Sequence, residues 1–416
     1  MKLISFLMVA ILTLTACSGS TAVTADNLMS GIKRNDIAPI VLDDPQENHV
    51  DKTTQVMDFS LSLFEEAYEE KNMLISPLSV TCALSMVANG AKNETLVQLE
   101  EALGTDIGSL NEYLYAYNTY LPTADKYKVG LANSIWFKDE ASLTVTKEFL
   151  QTNKDYYDAE IYKAPFDNNT KNDINAWVDE KTHGQIEKIL DEKISENSVM
   201  YLINALSFDA EWLDIYQDNF VNEGEFITHD AKKRTVDFMY STEYNYIELP
   251  TAIGFSKPYA DEKYSFVGLL PDKELTIEEF ISSLDGQVLI EAVKNKQDEK
   301  VQVFMPKFSF DYDTELSGIL KKMGITDAFD MNAANFSALG QSTNGNIFIN
   351  RVIHKTKIEV NEKGTKAGAI TAIEMKSGSV ELNEPKIINL NRPFFFMLVD
   401  NEFSMPIFIG VLNDIP

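Results

Sequence analysis

The chain has 416 residues, of which 44% are hydrophobic and 11% aromatic, so it contains enough apolar material for a large core. Asp and Glu number 64 against 36 Lys and Arg, which gives a formal net charge of −28 at pH 7. A surface this acidic repels phosphate groups and argues against nucleic acids and anionic lipid surfaces as partners.

The N-terminus has the features of an export signal. One lysine precedes a run of about a dozen mainly apolar residues, which is short for a membrane-spanning helix of ~20 residues. The tetrapeptide Leu14-Thr15-Ala16-Cys17 resembles the lipobox of bacterial lipoproteins, in which the new N-terminal cysteine takes a diacylglycerol. We therefore expect residues 1–16 to be a lipoprotein signal peptide and the protein to be anchored at the cell surface through Cys17. The alternative is a plain secretory signal cut elsewhere, with Cys17 incidental.

The remaining chain divides into a tether and one domain. Residues 17–50 are rich in Ser, Thr and Ala and then in Asp, Asn and Pro, without sustained periodicity, so we expect a flexible tether. No Gly/Pro/Ser-rich break or internal repeat follows, and residues 51–416 are predicted to form one large α+β domain. Cys82 lies in an apolar stretch and is expected to be a buried small hydrophobe, so the fold depends on core size and not on disulfides.

The first predicted helices follow the tether. Apolar residues recur on one helical face at Val56, Phe59, Leu63, Phe64 and Ala67. Ser76-Pro77 then reads as an N-cap followed by proline at the first helical position, and Gly90 suits the position past the helix end. This second helix has almost no polar face, so it is predicted to run through the middle of the domain. A third helix, NETLVQLEEALG, is predicted to end at Gly104.

Strands dominate the rest of the chain. KVGLANSIWFK alternates in polarity, and VMYLINALSF is almost wholly apolar, as expected of a strand covered on both faces. Between them, KNDINAWVDEKTHG is predicted to be an amphipathic helix that carries Ile174, Trp177 and Val178. YSFVGLLP, VQVFMPKFSF, INRVIHKTKIEV, FFFMLV and IFIGVL are further predicted strands.

The sequence contains none of the common active-site motifs of enzymes. The sequence has no GxSxG, HExxH, CxxC, P-loop or GxGxxG pattern, and its four histidines are scattered. Acidic residues are abundant but nothing singles out a carboxylate pair. We expect no catalytic activity, no metal and no cofactor.

Several long segments resemble, in the right order, the signature segments of serpins. They are NMLISPLSVTCALSMVANGA, LANSIWF, NAWVDEKTHGQI, YLINALSFDAEW, HKTKIEVNEKGTKAGAITA and NRPFFFMLV with PIFIGVLNDIP. The resemblance covers roughly residue 50 to the end. It implies the serpin fold, an α+β architecture of three β-sheets and eight or nine helices with an exposed reactive-centre loop. In inhibitory serpins a protease attacks this loop, an acyl-enzyme forms, and the loop inserts into the largest sheet and distorts the protease.

The reactive-centre loop matches EKGTKAGAITAIEMKSGS, residues 362–379, and the hinge is the start of this stretch. Between residues 365 and 374, alternation puts uncharged, mostly small residues on one face and both charges, Lys366 and Glu374, on the other, so one face can be buried without stranding a charge. The resemblance assigns hinge roles to Glu362, Gly364, Thr365, Ala367, Gly368 and Ala369. Lys366 stands where the family usually has an acidic residue and Ile370 where it usually has alanine, but both fall on the outward face. We therefore expect insertion, and hence inhibitory function.

Two further sites come from the resemblance. In VIHKTKIEV, alternation places His354 among apolar residues on one strand face, where a lone histidine is usually a hydrogen-bonded core group. His354, Asn204, Ser76 and Ser79 match the family's hydrogen-bonded "shutter" beneath the large sheet. Trp212 matches the "breach" tryptophan, where insertion begins; otherwise it would be a plain core tryptophan.

The scissile bond is left with three candidates. The usual family spacing, counted from Glu362, selects Gly378–Ser379, although glycine gives a protease pocket nothing to hold. The loop also looks a few residues longer than in typical members, and side-chain chemistry then favours Lys376–Ser377 for trypsin-like proteases. Met375–Lys376 would suit elastase- or chymotrypsin-like proteases.

The sequence is compatible with three functions. We expect a monomeric inhibitor whose partner is a serine protease, with cysteine proteases as a second target class. The second is a non-inhibitory serpin that acts as a surface binding or structural protein. The third is an unrelated lipoprotein enzyme. The acidic balance also argues against a heparin-like polysaccharide cofactor.

Overall fold

The structure is a computed structural model, and it describes residues 23–40, 42, 49–119, 121, 127–195, 198–365 and 385–415. Within these ranges it has nine α-helices and eighteen strands arranged in three sheets, which confirms the predicted α+β fold. The predicted signal peptide, Cys17, the hinge residues 367–369 and the scissile region 375–379 lie outside the described residues.

The nine helices lie mainly in the first half of the domain. Their bounds are α1 (His49–Ala67), α2 (Pro77–Ala88), α3 (Asn93–Leu103), α4 (Ile107–Thr119), α5 (Lys147–Tyr157), α6 (Asn168–Lys181), α7 (Ile277–Ser282), α8 (Gly286–Lys294) and α9 (Ser317–Lys322). Across the described ranges, no helix combines the length and the apolar character needed to span a bilayer.

The eighteen strands alternate with these helices and then dominate the second half. The first nine are β1 (Asp26–Asn27), β2 (Met73–Ile75), β3 (Tyr127–Lys138), β4 (Leu143–Val145), β5 (Glu160–Ala164), β6 (Met200–Glu211), β7 (Val221–Ile227), β8 (Lys233–Leu249) and β9 (Ala252–Pro258). The others are β10 (Tyr264–Pro271), β11 (Gln297–Pro306), β12 (Phe308–Glu315), β13 (Gly340–Ser342), β14 (Arg351–Asn361), β15 (Gly364–Thr365), β16 (Lys386–Asn389), β17 (Phe394–Asp400) and β18 (Pro406–Leu412).

The strands form a main sheet, a second large sheet and a small ribbon. The main sheet has seven strands in the order β1-β5-β3-β6-β15-β14-β12. The second has the order β16-β11-β8-β9-β10-β17-β18-β2, with β7 also paired to β8, and β13 pairs with β4. The apolar C-terminal strands β17 and β18 are wholly buried, as their composition predicts.

Helix α2 lies between the two large sheets. Ser76 caps its N-terminus by accepting a hydrogen bond from the Ser79 N–H (3.3 Å), and Pro77 occupies the first helical position. All twelve residues are buried, and the helix contacts β3 and β6 on one side and β18 on the other. The prediction of a central helix is therefore confirmed, and α2 is placed to support the middle of the main sheet.

Helix α6 covers the opposite face of the main sheet. Its apolar residues Ile174, Trp177 and Val178 are buried, as their spacing predicts. They pack with Trp136 and Tyr162, whose rings are stacked at a centroid distance of 4.3 Å. The main sheet is thus covered on both faces, which explains why β6 is apolar along nearly its whole length.

The segment predicted to be a tether is partly docked on the domain. Within residues 17–50, strand β1 pairs with β5, and the side chains that follow it bind α5. The Asn35 N–H donates to Asp155 Oδ1 (2.7 Å), and Arg34 Nε donates to the Asp155 carbonyl (2.9 Å). Met29 is also buried in the core, but as a single buried apolar residue between polar contacts it gives no hydrophobic periodicity. A free tether is not a correct description of residues 23–40.

Candidate functional site: the opening in the main sheet

The hinge begins with a tight reversal of the chain. Strand β14 ends at Asn361, the next two residues form a turn, and β15 returns antiparallel to β14. The Asn361 side-chain oxygen accepts from the Lys363 N–H (2.9 Å) and fixes this turn. On its other side β15 pairs with the end of β6, where Gly364 faces Glu211. The first two residues of the predicted loop strand therefore already lie between β6 and β14.

Further along, β6 and β14 pair with each other directly. Their parallel ladder joins residues 201–205 of β6 to residues 351–355 of β14, and we call this ladder the seam. At the other end of the opening, Thr365 faces Ala210 on β6 and Val360 on β14. Strands β6 and β14 are thus separated by the hinge at one end and hydrogen-bonded directly to each other at the other end.

Thr365 is buried at the entrance of the opening. Its side chain is 2% exposed, and its hydroxyl lies 2.6 Å from the hydroxyl of Tyr259. This places Thr365 on the inward face of the loop strand, where a neutral, small side chain is required. The inward residues that follow it lie beyond the described part of the loop.

Three aromatic residues hold the hinge, and we call them the aromatic bracket: Trp212, Tyr216 and Tyr259. Trp212 stacks on Tyr259 with ring centroids 4.5 Å apart and planes 9° from parallel. The indole N–H of Trp212 donates to the Asn361 carbonyl (2.8 Å), and its backbone N–H donates to the Lys363 carbonyl (2.9 Å). The Tyr216 N–H donates to the Glu362 carbonyl (2.9 Å). Trp212 is therefore more than a core residue, because it binds the hinge directly.

Glu362 is fixed from outside the sheet by an ion pair. Its carboxylate lies 3.2 Å from the ammonium of Lys307, which also lies 3.6 Å from Asp237. Its own backbone N–H and the Lys307 ammonium together lower the pKa of the Glu362 carboxyl, against the opposing effect of burial. The hinge turn is thus held by backbone hydrogen bonds on one side and by charge on the other.

A row of polar side chains crosses the sheet at the seam. Asn133 on β3 faces Asn204 on β6, and Asn204 faces His354 on β14. Asn204 donates to Ser79 Oγ (2.5 Å) and lies 2.6 Å from the Asn133 side-chain oxygen, while its own oxygen pairs with His354 Nδ1. The structure therefore brings the four predicted shutter residues together, with Ser76 bound to the other side of the histidine.

The hydrogen bonds of His354 define its tautomer. Nε2 accepts from the Ser76 backbone N–H (3.1 Å), so the proton resides on Nδ1 and is donated to Asn204. Burial lowers the pKa of His354 to about 3, because a charged imidazolium would lose its hydration. A protonated ring would also turn a donor toward the Ser76 N–H. The seam therefore requires a neutral histidine.

We expect the neutral His354 to make the fold acid-sensitive. Between pH 6.5 and about 3 the unfolded chain binds a proton at this position and the folded chain does not, so stability falls as pH falls. From pH 6.5 to pH 5 this amounts to about 1.5 kcal/mol in the free energy of unfolding. Urea unfolding of the wild type and of His354→Gln at both pH values measures it. Equal pH dependence in the two proteins would contradict the assignment.

Several residues of this site carry no clear signal in the sequence. Asn133 is one polar residue in an alternating strand, and only the register with Asn204 gives it a role. Tyr216 acts through its backbone N–H, which no side-chain pattern records. Lys307 and Tyr259 reach the hinge from the positions that directly follow β11 and β9. No cluster of three or more His, Cys, Asp and Glu side chains suited to a metal occurs within the described ranges.

Comparison with known proteins gives a consistent result. A family model described as "Serpin (serine protease inhibitor)" matches residues 54–415. Serpin B8 of Homo sapiens is 31% identical over 376 residues, which cover 85% of this chain and 96% of that protein. Iripin-5 of Ixodes ricinus is 30% identical, covering 83% and 89%. The leukocyte elastase inhibitor of Xenopus tropicalis is 29% identical, covering 85% and 96%.

Solved structures distinguish two states of one relative. The native state of a thermophilic serpin, tengpin, matches with 45% identity and a TM-score of 0.88, covering 94% of this chain and 100% of that one. The latent state of tengpin matches with 44% identity and a TM-score of 0.78, covering 92% and 100%. The described fold is thus nearer to the native-state structure, in agreement with the closed seam.

Proposed function

The chain belongs to the serpin family, and from this premise we propose that it inhibits serine proteases as a suicide substrate. The serine of the protease attacks a peptide bond of the loop, an ester joins the two proteins, and the new amino terminus leaves. The freed loop then inserts between β6 and β14 before water hydrolyses the ester. The protein is consumed and catalyses nothing.

The position of β15 is the observation that supports this proposal most strongly. A loop that never inserts has no need to enter a central sheet with a buried, neutral residue. Here the loop strand starts inside the sheet, with Thr365 paired to both neighbouring strands. Its next residues would continue along β6 and β14 toward the seam.

Insertion along this route is energetically favourable. The loop strand would gain ladder hydrogen bonds on both sides, each worth ~1 kcal/mol net. About a dozen inserted residues, with newly buried side chains, supply on the order of 10 kcal/mol for distortion of the protease. The resting fold is then a kinetically trapped state, in which the seam delays insertion.

The protease class follows from the scissile bond, for which we keep three candidates. Lys376–Ser377 suits trypsin-like proteases and Met375–Lys376 suits elastase- or chymotrypsin-like ones, whereas family spacing selects Gly378–Ser379. We propose Lys376–Ser377 first, because a lysine side chain fills a protease pocket and glycine does not. We also propose that the protein is exported and anchored through a lipid on Cys17. Cys17→Ala removes the thiol and should abolish lipid labelling of the protein.

The test is to mix the purified protein with trypsin-, elastase- and chymotrypsin-type proteases. We expect a complex of the summed mass that survives SDS with at least one of them. Mass spectrometry of that complex then locates the scissile bond. The matched control is the same protease with its active-site serine chemically blocked, which should form no complex.

Clean loop cleavage without any complex across the panel would contradict the proposal. It would leave the chain as a non-inhibitory serpin whose role is binding or structural. Loss of the complex after prior cleavage of the loop, by contrast, is expected, because an inserted loop cannot be used twice.

A further inference from the structure

A buried ion pair lies directly behind the aromatic bracket. Lys257 on β9 and Glu243 on β8 have their charged atoms 2.8 Å apart, and their side chains are only 2% and 9% exposed. Lysine is almost never this buried without a partner. The sequence around Lys257, AIGFSKP, reads as an ordinary strand end, so nothing there marks this residue for a special role.

Burying these two charges has a high desolvation cost. Burial alone lowers the pKa of Lys257, but Glu243, Tyr216 and Asp214 raise it above its ordinary value, so the amine stays charged. Removing two charges from water usually costs about as much as their attraction returns, and an apolar pair of similar volume commonly serves stability as well or better. Stability is therefore a weak explanation for this pair.

The surroundings of the ammonium point to another role. The Lys257 nitrogen lies 4.7 Å from the ring centroid of Tyr216 and 5.6 Å from that of Trp212. Both distances are within the range of cation–π attraction, which is strongest in desolvated places such as this one. These two rings belong to the residues whose N–H groups hold Asn361, Glu362 and Lys363.

We propose that Lys257 is a positioning residue for loop insertion: held by Glu243, its ammonium fixes Trp212 and Tyr216 in the orientation that holds the hinge. The hinge is thereby kept aligned with the opening before the protease arrives. Without this alignment the cleaved loop would start insertion later, and more of the ester would be hydrolysed first. This inference rests on the proposed inhibitory function.

The test replaces the pair without leaving one charge unpaired. Lys257→Met combined with Glu243→Leu removes both charges at roughly conserved volume. We expect the thermal unfolding midpoint and the rate of loop cleavage to change little, whereas the stoichiometry of inhibition rises about tenfold. The control variant Lys257→Arg, with Glu243 unchanged, keeps the cation, so its stoichiometry of inhibition should stay within about twofold of the wild type.

A second variant establishes the route of action. Tyr216→Leu removes the ring but keeps the backbone N–H that binds Glu362. If Lys257 acts through the bracket rings, adding Lys257→Met/Glu243→Leu to the Tyr216→Leu protein should raise the stoichiometry of inhibition little further. The effects of the two replacements would then be non-additive. Fully additive changes in stoichiometry would overturn the proposal, and this comparison needs only variants that fold.

Hydrogen exchange gives a readout that requires no protease. The backbone amides of residues 361–365 should exchange about tenfold faster in the Lys257→Met/Glu243→Leu protein, with the seam strands unchanged. Unchanged exchange at the hinge would overturn the inference whether or not the protein inhibits proteases. A wild type that forms no protease complex would instead overturn the proposed function alone.

Discussion

Replacing Thr365 by arginine is expected to convert the protein from an inhibitor into a substrate. The side chain at this position is 2% exposed and lies between β6 and β14, so the variant would have to bury a guanidinium without a partner. An unpaired buried charge costs several kcal/mol, which is enough to slow insertion relative to ester hydrolysis. We expect the stoichiometry of inhibition to rise more than tenfold, measured by titrating the variant against a fixed amount of protease.

The matched control for this prediction is Thr365→Ser. Serine keeps the hydroxyl that meets Tyr259 and introduces no charge, so inhibition should be close to that of the wild type. Equal stoichiometry for the arginine and serine variants would mean that position 365 does not face inward during insertion. Circular dichroism of both proteins before mixing shows whether each is folded.

Replacing Asn204 by alanine is expected to let the uncleaved loop insert into the main sheet without a protease. This side chain links β6 to β14 through His354 and reaches Ser79 on α2, so its loss leaves several buried polar groups without partners. The free energy of unfolding should fall by about 3 kcal/mol. Because the lost bond spans the seam, we also expect inhibitory activity to disappear at least tenfold faster on warming, as the uncleaved loop inserts.

Asn133→Ala provides a control within the same polar row. Asn133 faces Asn204 from β3, and the β3–β6 ladder stays paired when a strand enters between β6 and β14. This variant should lose stability but should lose activity on warming at nearly the wild-type rate. Similar rates for the two variants would show that the seam is not what delays insertion.

Much of the fold is predictable because its signals are local. The Ser76-Pro77 start of α2, its uniformly apolar sequence and the alternation in β3 each require only neighbouring residues to interpret. Family resemblance then places Ser76, Ser79, Asn204 and His354 in one site, and the structure shows the hydrogen bonds that join them.

The rest depends on contacts between distant elements. The docking of residues 23–40 combines strand pairing with β5, the burial of Met29 and hydrogen bonds to the Asp155 carbonyl and carboxylate of α5, none of which leaves a periodicity in the sequence. The burial of Lys257 is decided by Glu243 on a neighbouring strand and by two rings beyond it. The entry of Gly364 and Thr365 into the sheet depends on register with β6, more than 150 positions earlier in the sequence.

The early entry of β15 has a consequence for how insertion begins. Starting a new strand is normally the slow step, since several residues must be ordered before any ladder bond forms, whereas extension gains bonds with each residue added. In this protein the nucleus exists at rest, because Gly364 and Thr365 are already paired on both sides. Insertion then only extends a strand that has already started. Its rate is set by how quickly the residue pairs of the seam separate, one after another.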